Sequence, residues 1–241
     1  MPKVKRARDF YLYDDHGIRI LDLYLDNGRA IAGHRPNGLS LSLKNTISRG
    51  LYAPYPSIFT DRLQKMILKE FPQFSKVGLY RNSCSLDDSF SDPVFDKDNS
   101  EYVIWRPYLE ISRQCKKMIV HFPFPGSEAI VLLSNEDKSL PESDILPPFI
   151  LAGLIRSYYD LKKRLESFDS SSWSLLDETG HWDRKGPYLI PRCSEKEYEK
   201  LFRLYLRNQV LISPDYSKPS ICAVDLQTGS LKKLLRCIKE G

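Results

Sequence analysis

The chain has 241 residues and a formal net charge of +5, with 41% of its residues hydrophobic, 12% aromatic and 28% charged. That length suffices for one sizeable core or two small ones, and the composition is that of an ordinary globular protein, far from the disordered class. The longest apolar run, residues 145–155, holds Pro147 and Pro148 and is too short to cross a bilayer, so no membrane partner is expected.

Lys3, Lys5, Arg6 and Arg8 form a small basic cluster at the start. No apolar h-region follows it, so a signal peptide is not expected and a cytoplasmic location is. Elsewhere acids and bases are interspersed, which predicts a solvated, slightly basic surface rather than a nucleic-acid-binding face. Residues 10–24 place two β-prone runs around Asp14-Asp15-His16-Gly17, residues that tolerate turn geometry, and so predict a hairpin. Gly28, Gly33, Pro36 and Gly38 then break the chain. Leu39, Leu43 and Ile47, spaced by four, mark one face of a short helix that Gly50 ends. Pro54 and Pro56 give an extended stretch, and a second helix is predicted over 57–70 with Phe59, Leu63, Met66 and Ile67 on its apolar stripe.

The middle changes character. Short β-like runs fall at 77–80, 102–105, 118–122 and 129–133, separated by loops rich in Ser, Asp, Asn and Pro. A longer helix is predicted over 147–167, with its prolines in the first turn and Leu151, Leu154, Tyr158, Leu161 and Leu165 in helical period. A polar linker over 167–174 leads to a strand at 186–190. Ser194 and Glu197 form a capping box, which opens a helix carrying Tyr198, Leu201, Phe202, Tyr205 and Leu206 on one face. A strand at 210–212 and a terminal helix marked by Leu231, Leu234, Leu235 and Ile238 complete the chain.

The cysteines, Cys84, Cys115, Cys193, Cys222 and Cys237, are scattered, with no Cys-x-x-Cys pair, so free thiols are expected and no metal site. His34 could serve a site, stabilise its Gly-His-Arg-Pro turn or face a partner. His121, within an apolar run, reads as a hydrogen-bonded core or edge residue. His181 near Asp177, Glu178 and Asp183 reads as a polar loop. Ser127 in Pro-Gly-Ser-Glu lacks the frame of a nucleophile elbow. Trp105-Arg106-Pro107-Tyr108 suits a ligand or interface contact and equally a packed corner.

Tyr11-Leu12-Tyr13-Asp14-Asp15-His16-Gly17, then Leu21-Asp22, then Gly33-His34-Arg35-Pro36, the Gly50–Pro56 passage and a helix ending at Phe71-Pro72 make an ordered series. It resembles the N-terminal part of the class III pyridoxal-phosphate aminotransferases, the fold type I group that includes glutamate-1-semialdehyde aminomutase. Residues 186–240 are similar in order of elements to that family's other end, with Arg207 to Pro214 standing where it has a Gly-Val-Leu-x-x-Pro turn. The resemblance implies an α/β protein in which a small domain is assembled from both chain ends, residues 1–75 and 168–241. A strongly shortened remnant of the cofactor domain, residues 76–167, is inserted between them.

It also implies where pyridoxal phosphate would bind. The family's Asn-Ser-Gly-Ser/Thr-Glu-Ala loop holds the cofactor phosphate at a helix N-terminus. Here that place reads Asn82-Ser83-Cys84-Ser85-Leu86-Asp87. Asn82, Ser83 and Ser85 match and are the candidate cofactor-binding residues. Cys84 replaces the glycine that lets backbone approach phosphate, and Asp87 adds like charge. The chemistry further requires a Schiff-base lysine, and none of Lys97, Lys116, Lys117, Lys138, Lys162 or Lys163 has the glycine-rich sequence that follows the family's lysine. Lys116-Lys117 and Lys162-Lys163 read as pairs on solvated faces. The expectation is therefore a degenerate aminotransferase-like protein without covalent pyridoxal phosphate, a homodimer acting in binding or interaction. The alternative is a minimal or split enzyme completed across a dimer or by another protein subunit. The catalytic residues stay unassigned.

Overall fold

The computed structural model describes residues 1–82, 90–95, 100–167, 170–222, 232 and 235–236. The chain divides into two compact units, one made of residues 1–35 and 163–241, the other of residues 36–162.

In the first unit, β1 (Val4–Arg8), β2 (Tyr11–Asp14) and β3 (Arg19–Asp22) form an antiparallel meander. The β2–β3 turn is built by local chemistry. The Asp14 carboxylate accepts the N–H groups of His16 (3.0 Å) and Ile18 (2.7 Å), and Gly17 takes a φ of 82°. β10 (Val210–Leu211), from the far end of the chain, pairs with β3 in parallel, so both termini share one sheet ordered β1-β2-β3-β10. Leu12, Ile20 and Leu211 form its buried face, against which Phe202 and Leu206 of α4 (Glu195–Arg207) pack. The start of α4 follows the predicted box: the Glu197 carboxylate accepts the N–H (3.1 Å) and O–H (2.7 Å) of Ser194.

A second, three-stranded sheet in this unit runs β11-β9-β8, with β8 Trp182–Lys185, β9 Tyr188–Pro191 and β11 Ser220–Ile221. Gly186 and Pro187, read as part of a strand, are instead the turn of the β8–β9 hairpin, with Gly186 at φ 59°. β8 escaped sequence reading because only Trp182 in it is buried and the rest is exposed polar side chain. The predicted polar linker is in part a 3-10 segment, Ser170–Thr179, that buries Trp173 and Leu176. The terminal helix read over 231–238 lies largely outside the described residues.

The second unit holds α1 (Leu39–Ile47), α2 (Ile58–Glu70), the sheet β4-β7-β6-β5 and most of α3 (Pro148–Glu166). The strands are β4 Lys76–Tyr80, β5 Tyr102–Ile104, β6 Lys117–Val120 and β7 Ile130–Ser134. β4–β7 and β6–β7 are antiparallel and β5–β6 is parallel. Tyr80, Ile119, Ile130 and Leu132 make a buried cluster on one face. Two glycines permit the packing. A side chain at Gly78 would strike the Tyr80 ring, whose hydroxyl donates to the Pro141 carbonyl (2.9 Å), and one at Gly153 in α3 would strike the ring of Phe124. No helix among the described residues is long and apolar enough to cross a membrane.

Candidate functional site

Because β7 runs against both β4 and β6, and β6 runs with β5, strands β4, β5 and β6 point the same way. Their carboxyl ends, Tyr80, Ile104 and Val120, lie along one edge of the sheet, the edge at which open α/β sheets bind ligands. Asn82 stands there, exposed, just after β4. Ser83 and Ser85, the other two candidate phosphate-binding residues, lie outside the described residues, as do Cys84 and Asp87. The approach to that loop is tethered by a carboxylate, since Asp144 accepts the Arg81 N–H (2.8 Å) while the Arg81 guanidinium donates to the Ile145 carbonyl (3.3 Å).

Aromatic side chains crowd the same edge. Trp105 follows β5 and Phe122 follows β6. Tyr158 of α3 meets Phe122 edge-on at 5.3 Å between centroids and Trp105 at 6.1 Å, and Phe71 meets Trp105 edge-on at 5.5 Å. All four are buried, and such pairs each add about 0.5–1.5 kcal/mol beyond their buried area. The Tyr158 hydroxyl donates to Glu70 (3.4 Å). Burial, then the Glu70 charge, pushes that phenol far above its ordinary range. Beside Trp105, Arg106 is buried and donates through Nε to both Asp92 oxygens (3.1 and 3.2 Å), with Nη2 against the same carboxylate. Asp92 also accepts the Val94 N–H (3.0 Å). Trp105-Arg106 is thus a packed corner closed by a buried ion pair.

Of the described candidate lysines, Lys162 reaches this cluster through Glu70, which also accepts from Tyr158, and Lys116, Lys117 and Lys138 stand at the other edge. Lys116 and Lys117 sit at the amino end of β6, across the sheet from Asn82. They do not share a solvated face: Lys116 pairs with Glu101 (2.6 Å) half-exposed, whereas Lys117 is buried against Glu136 (3.1 Å) and over the Tyr102 ring. Successive strand residues point to opposite faces, which separates the pair. Lys138 follows the carboxyl end of β7, hence the same far edge. Lys162 is held by both Glu70 oxygens (2.7 and 2.9 Å), and Lys163 is exposed. Lys97 lies outside the described residues.

No family model matches the chain. An uncharacterized protein of Borreliella burgdorferi is 30% identical over 256 residues, covering 99% of this chain and 92% of that protein, and the chain belongs to one family with it. A glutamate-1-semialdehyde 2,1-aminomutase of Heliobacterium modesticaldum is 36% identical over 76 residues, 32% of this chain and 17% of that enzyme. Among solved structures, an ornithine aminotransferase from Plasmodium yoelii superimposes with a TM-score of 0.71 at 9% identity, covering 99% of this chain and 92% of that one. The acetylornithine aminotransferase from Elizabethkingia anophelis does so with a TM-score of 0.71 at 11% identity, covering 99% and 93%. The chain has the class III aminotransferase fold.

In the terminal unit of this aminotransferase fold, the Gly-His-Arg-Pro histidine has a partner that sequence reading did not assign. His34 Nε2 lies 2.8 Å from Asp22 Oδ2, and the other Asp22 oxygen accepts the N–H groups of Tyr24 (2.8 Å) and Leu25 (3.0 Å). The carboxylate, 2% exposed, thereby pins a loop in which Leu25, Asp26 and Asn27 all take φ near +50°. Such backbone costs on the order of 1–3 kcal/mol per residue and persists only where surroundings over-determine it. The Leu-Asp that ends β3 was the available signal. His181 contacts the Tyr205 hydroxyl (3.2 Å), which also accepts from Trp182 Nε1 (2.8 Å), and burial lowers the pKa of His181. Its acidic neighbours face other partners, Asp177 holding Arg184 and Asp183 holding Arg192. His121 is half-buried. Ser127 is buried and its hydroxyl accepts the Ala129 N–H (3.3 Å), a local turn contact.

Proposed function

We propose that this chain is a catalytically degenerate aminotransferase-fold protein that forms no Schiff base and acts as a binding or interaction protein, assembling as a homodimer. One observation carries the reading. At the carboxyl edge of the middle sheet, Phe71, Trp105, Phe122 and Tyr158 pack on one another, while the described candidate lysines stand at the far edge, on Glu70 or in solvent. Schiff-base chemistry requires an amine within bonding reach of the cofactor aldehyde, and the described residues of that edge do not fit this need.

The homodimer is supported by one stretch of the same unit. Leu41, Tyr52, Tyr55 and Ile58 are 62%, 58%, 68% and 60% exposed. Their apolar surface amounts to on the order of 400 Å², about half of what each partner contributes to a standard interface, and aromatics on extended backbone are common anchors. A cytoplasmic location belongs to the same reading, supported by the free thiols Cys115, Cys193 and Cys222.

The test is titration of the purified protein with pyridoxal phosphate, absorbance in the aldimine region, borohydride reduction and peptide mapping. No stoichiometric lysine adduct is expected. One fully modified lysine between residues 77 and 165, whose substitution abolishes a measurable transamination, would establish the minimal or split enzyme instead.

A further inference from the structure

The basic cluster at the start of the chain is not a loose tail. Val4–Arg8 is the edge strand of the sheet β1-β2-β3-β10, and no other strand among the described residues pairs with its outer side. Register places Arg6 opposite Tyr13 and Tyr13 opposite Arg19, with Arg8 opposite Tyr11. One face of the ribbon therefore carries arginines and tyrosines in rows, and the other is the face that Phe202 and Leu206 of α4 cover. The Arg6 guanidinium lies 4.1 Å from the Tyr13 ring centroid and that of Arg19 lies 4.7 Å from Tyr11. Stacking in this way removes part of the rotamer freedom an anion would otherwise have to quench.

The charges are also largely uncompensated. Arg8 touches the exposed Asp9 carboxylate at 3.5 Å, whereas among the described residues Lys3, Lys5, Arg6 and Arg19 have no carboxylate partner. Asp14, the acid at the other end of β2, is turned into its own hairpin by the His16 and Ile18 N–H groups. An edge strand offers a free row of backbone donors and acceptors to any extended chain. The exposed basic side chains of β1 repel a second copy of the same strand, so the edge discriminates against self-pairing while favouring a chain of opposite sign.

We propose that β1 is a docking edge for an acidic, extended protein segment, which adds to the sheet as a fifth strand and places carboxylates beside Lys5, Arg6 and Arg8. This assignment stands whether or not the middle unit binds a cofactor, because it uses none of the residues of the carboxyl edge. The free backbone row is of use to a polypeptide but not to a polynucleotide. That favours a peptide strand over nucleic acid.

The experiment uses the full chain and a fluorescein-labelled peptide of about ten residues, a common upper strand length, in which Glu alternates with Val or Thr. Anisotropy should show saturable binding that weakens as salt rises. A peptide of equal charge with proline at the Val and Thr positions, which cannot complete the ladder, should bind at least tenfold more weakly. The Lys5→Glu/Arg6→Glu/Arg8→Glu variant should lose at least tenfold in affinity with an unchanged circular-dichroism melt. Should that variant fail to fold, hydrogen exchange on the natural chain decides, and peptide must slow the amides of Val4–Arg8. Equal affinity for the proline peptide, no protection of β1, or tighter binding of an oligo-dT of similar length would each overturn the proposal.

Discussion

Gly153 offers a test of how α3 is seated, because two effects of known size oppose each other there. In a helix interior glycine costs about 1 kcal/mol relative to alanine, so Gly153→Ala on an open helix face would stabilise by about that amount. Here a methyl at residue 153 would lie 2.9 Å from Phe124 Cδ1 and 3.0 Å from Cζ, with Cε1 nearer still. Carbon atoms rest at about 3.5–4.0 Å. Phe124 is buried, and its rigid ring can yield only by moving the loop after β6, which also carries Phe122 against Tyr158. Overpacking of this kind costs about 1–3 kcal/mol and outweighs the helix gain. Gly153→Ala is expected to lower unfolding free energy by about 1 kcal/mol, read from the urea midpoint at unchanged slope.

The double-mutant cycle with Phe124→Leu makes the reasoning specific. With the ring removed, the methyl has room, and Gly153→Ala should change sign to a gain of up to about 1 kcal/mol in that background. A higher midpoint for Gly153→Ala alone, or the same effect in both backgrounds, would refute the clash and with it the close seating of α3 on the loop that carries Phe122.

Asp22→Ala should cost about 3 kcal/mol or more in a urea titration. It leaves His34 and two N–H groups without their carboxylate and releases a strained loop; a loss under about 1 kcal/mol would mean the loop holds its shape unaided. At Glu197, the Ser194 hydroxyl and then its N–H hold the carboxylate below the ordinary value of 4.5. A depressed folded pKa stabilises above the unfolded value and ceases to as pH falls through the folded one. The thermal-stability gap between the natural chain and Glu197→Ala should therefore be constant at neutral pH and narrow below about pH 4.5. Tyr52→Glu/Tyr55→Glu should convert a dimer to the 27.9 kDa monomer in sedimentation at micromolar concentration, and a natural chain that is already monomeric there would remove the dimer from the proposal.

Features decided by local chemistry were legible in sequence. The Asp14–Gly17 turn and the Ser194–Glu197 helix start need only a few adjacent residues, and both form as expected. The class III resemblance likewise rested on ordered short motifs, and it named a fold shared with enzymes only 9–11% identical. What escaped either carried no apolar alternation to mark it or depended on how the chain folds back on itself. β1 and β8 are edge strands with mostly charged or polar side chains, so no alternation of apolar residues marks them. Lys117 looked like half of a solvated pair until strand geometry turned it inward onto Glu136. The partner of His34 is in plain view at Asp22, yet nothing in the sequence between them says that the chain returns on itself.

The packing at the carboxyl edge of the middle sheet bears on its chemistry. A cofactor needs a cleft at the carboxyl edge, and a cleft needs strands and loops on either side whose own cores are secure without it. Here the edge is bounded by three short parallel strands, and α3 is the helix whose aromatic residue reaches it. Trp105, Phe122, Phe71 and Tyr158 are among the bulkiest side chains of the unit, and each contributes about 150–250 Å² of burial. Burial at about 25 cal/mol per Å² makes each worth several kcal/mol to a fold whose total margin is of the order of 5–15. Displacing these rings would cost the unit that contribution. On the proposed reading, stability and an open cofactor site compete for the same residues, and a lysine introduced at Phe122 would have to displace the packing before it could react.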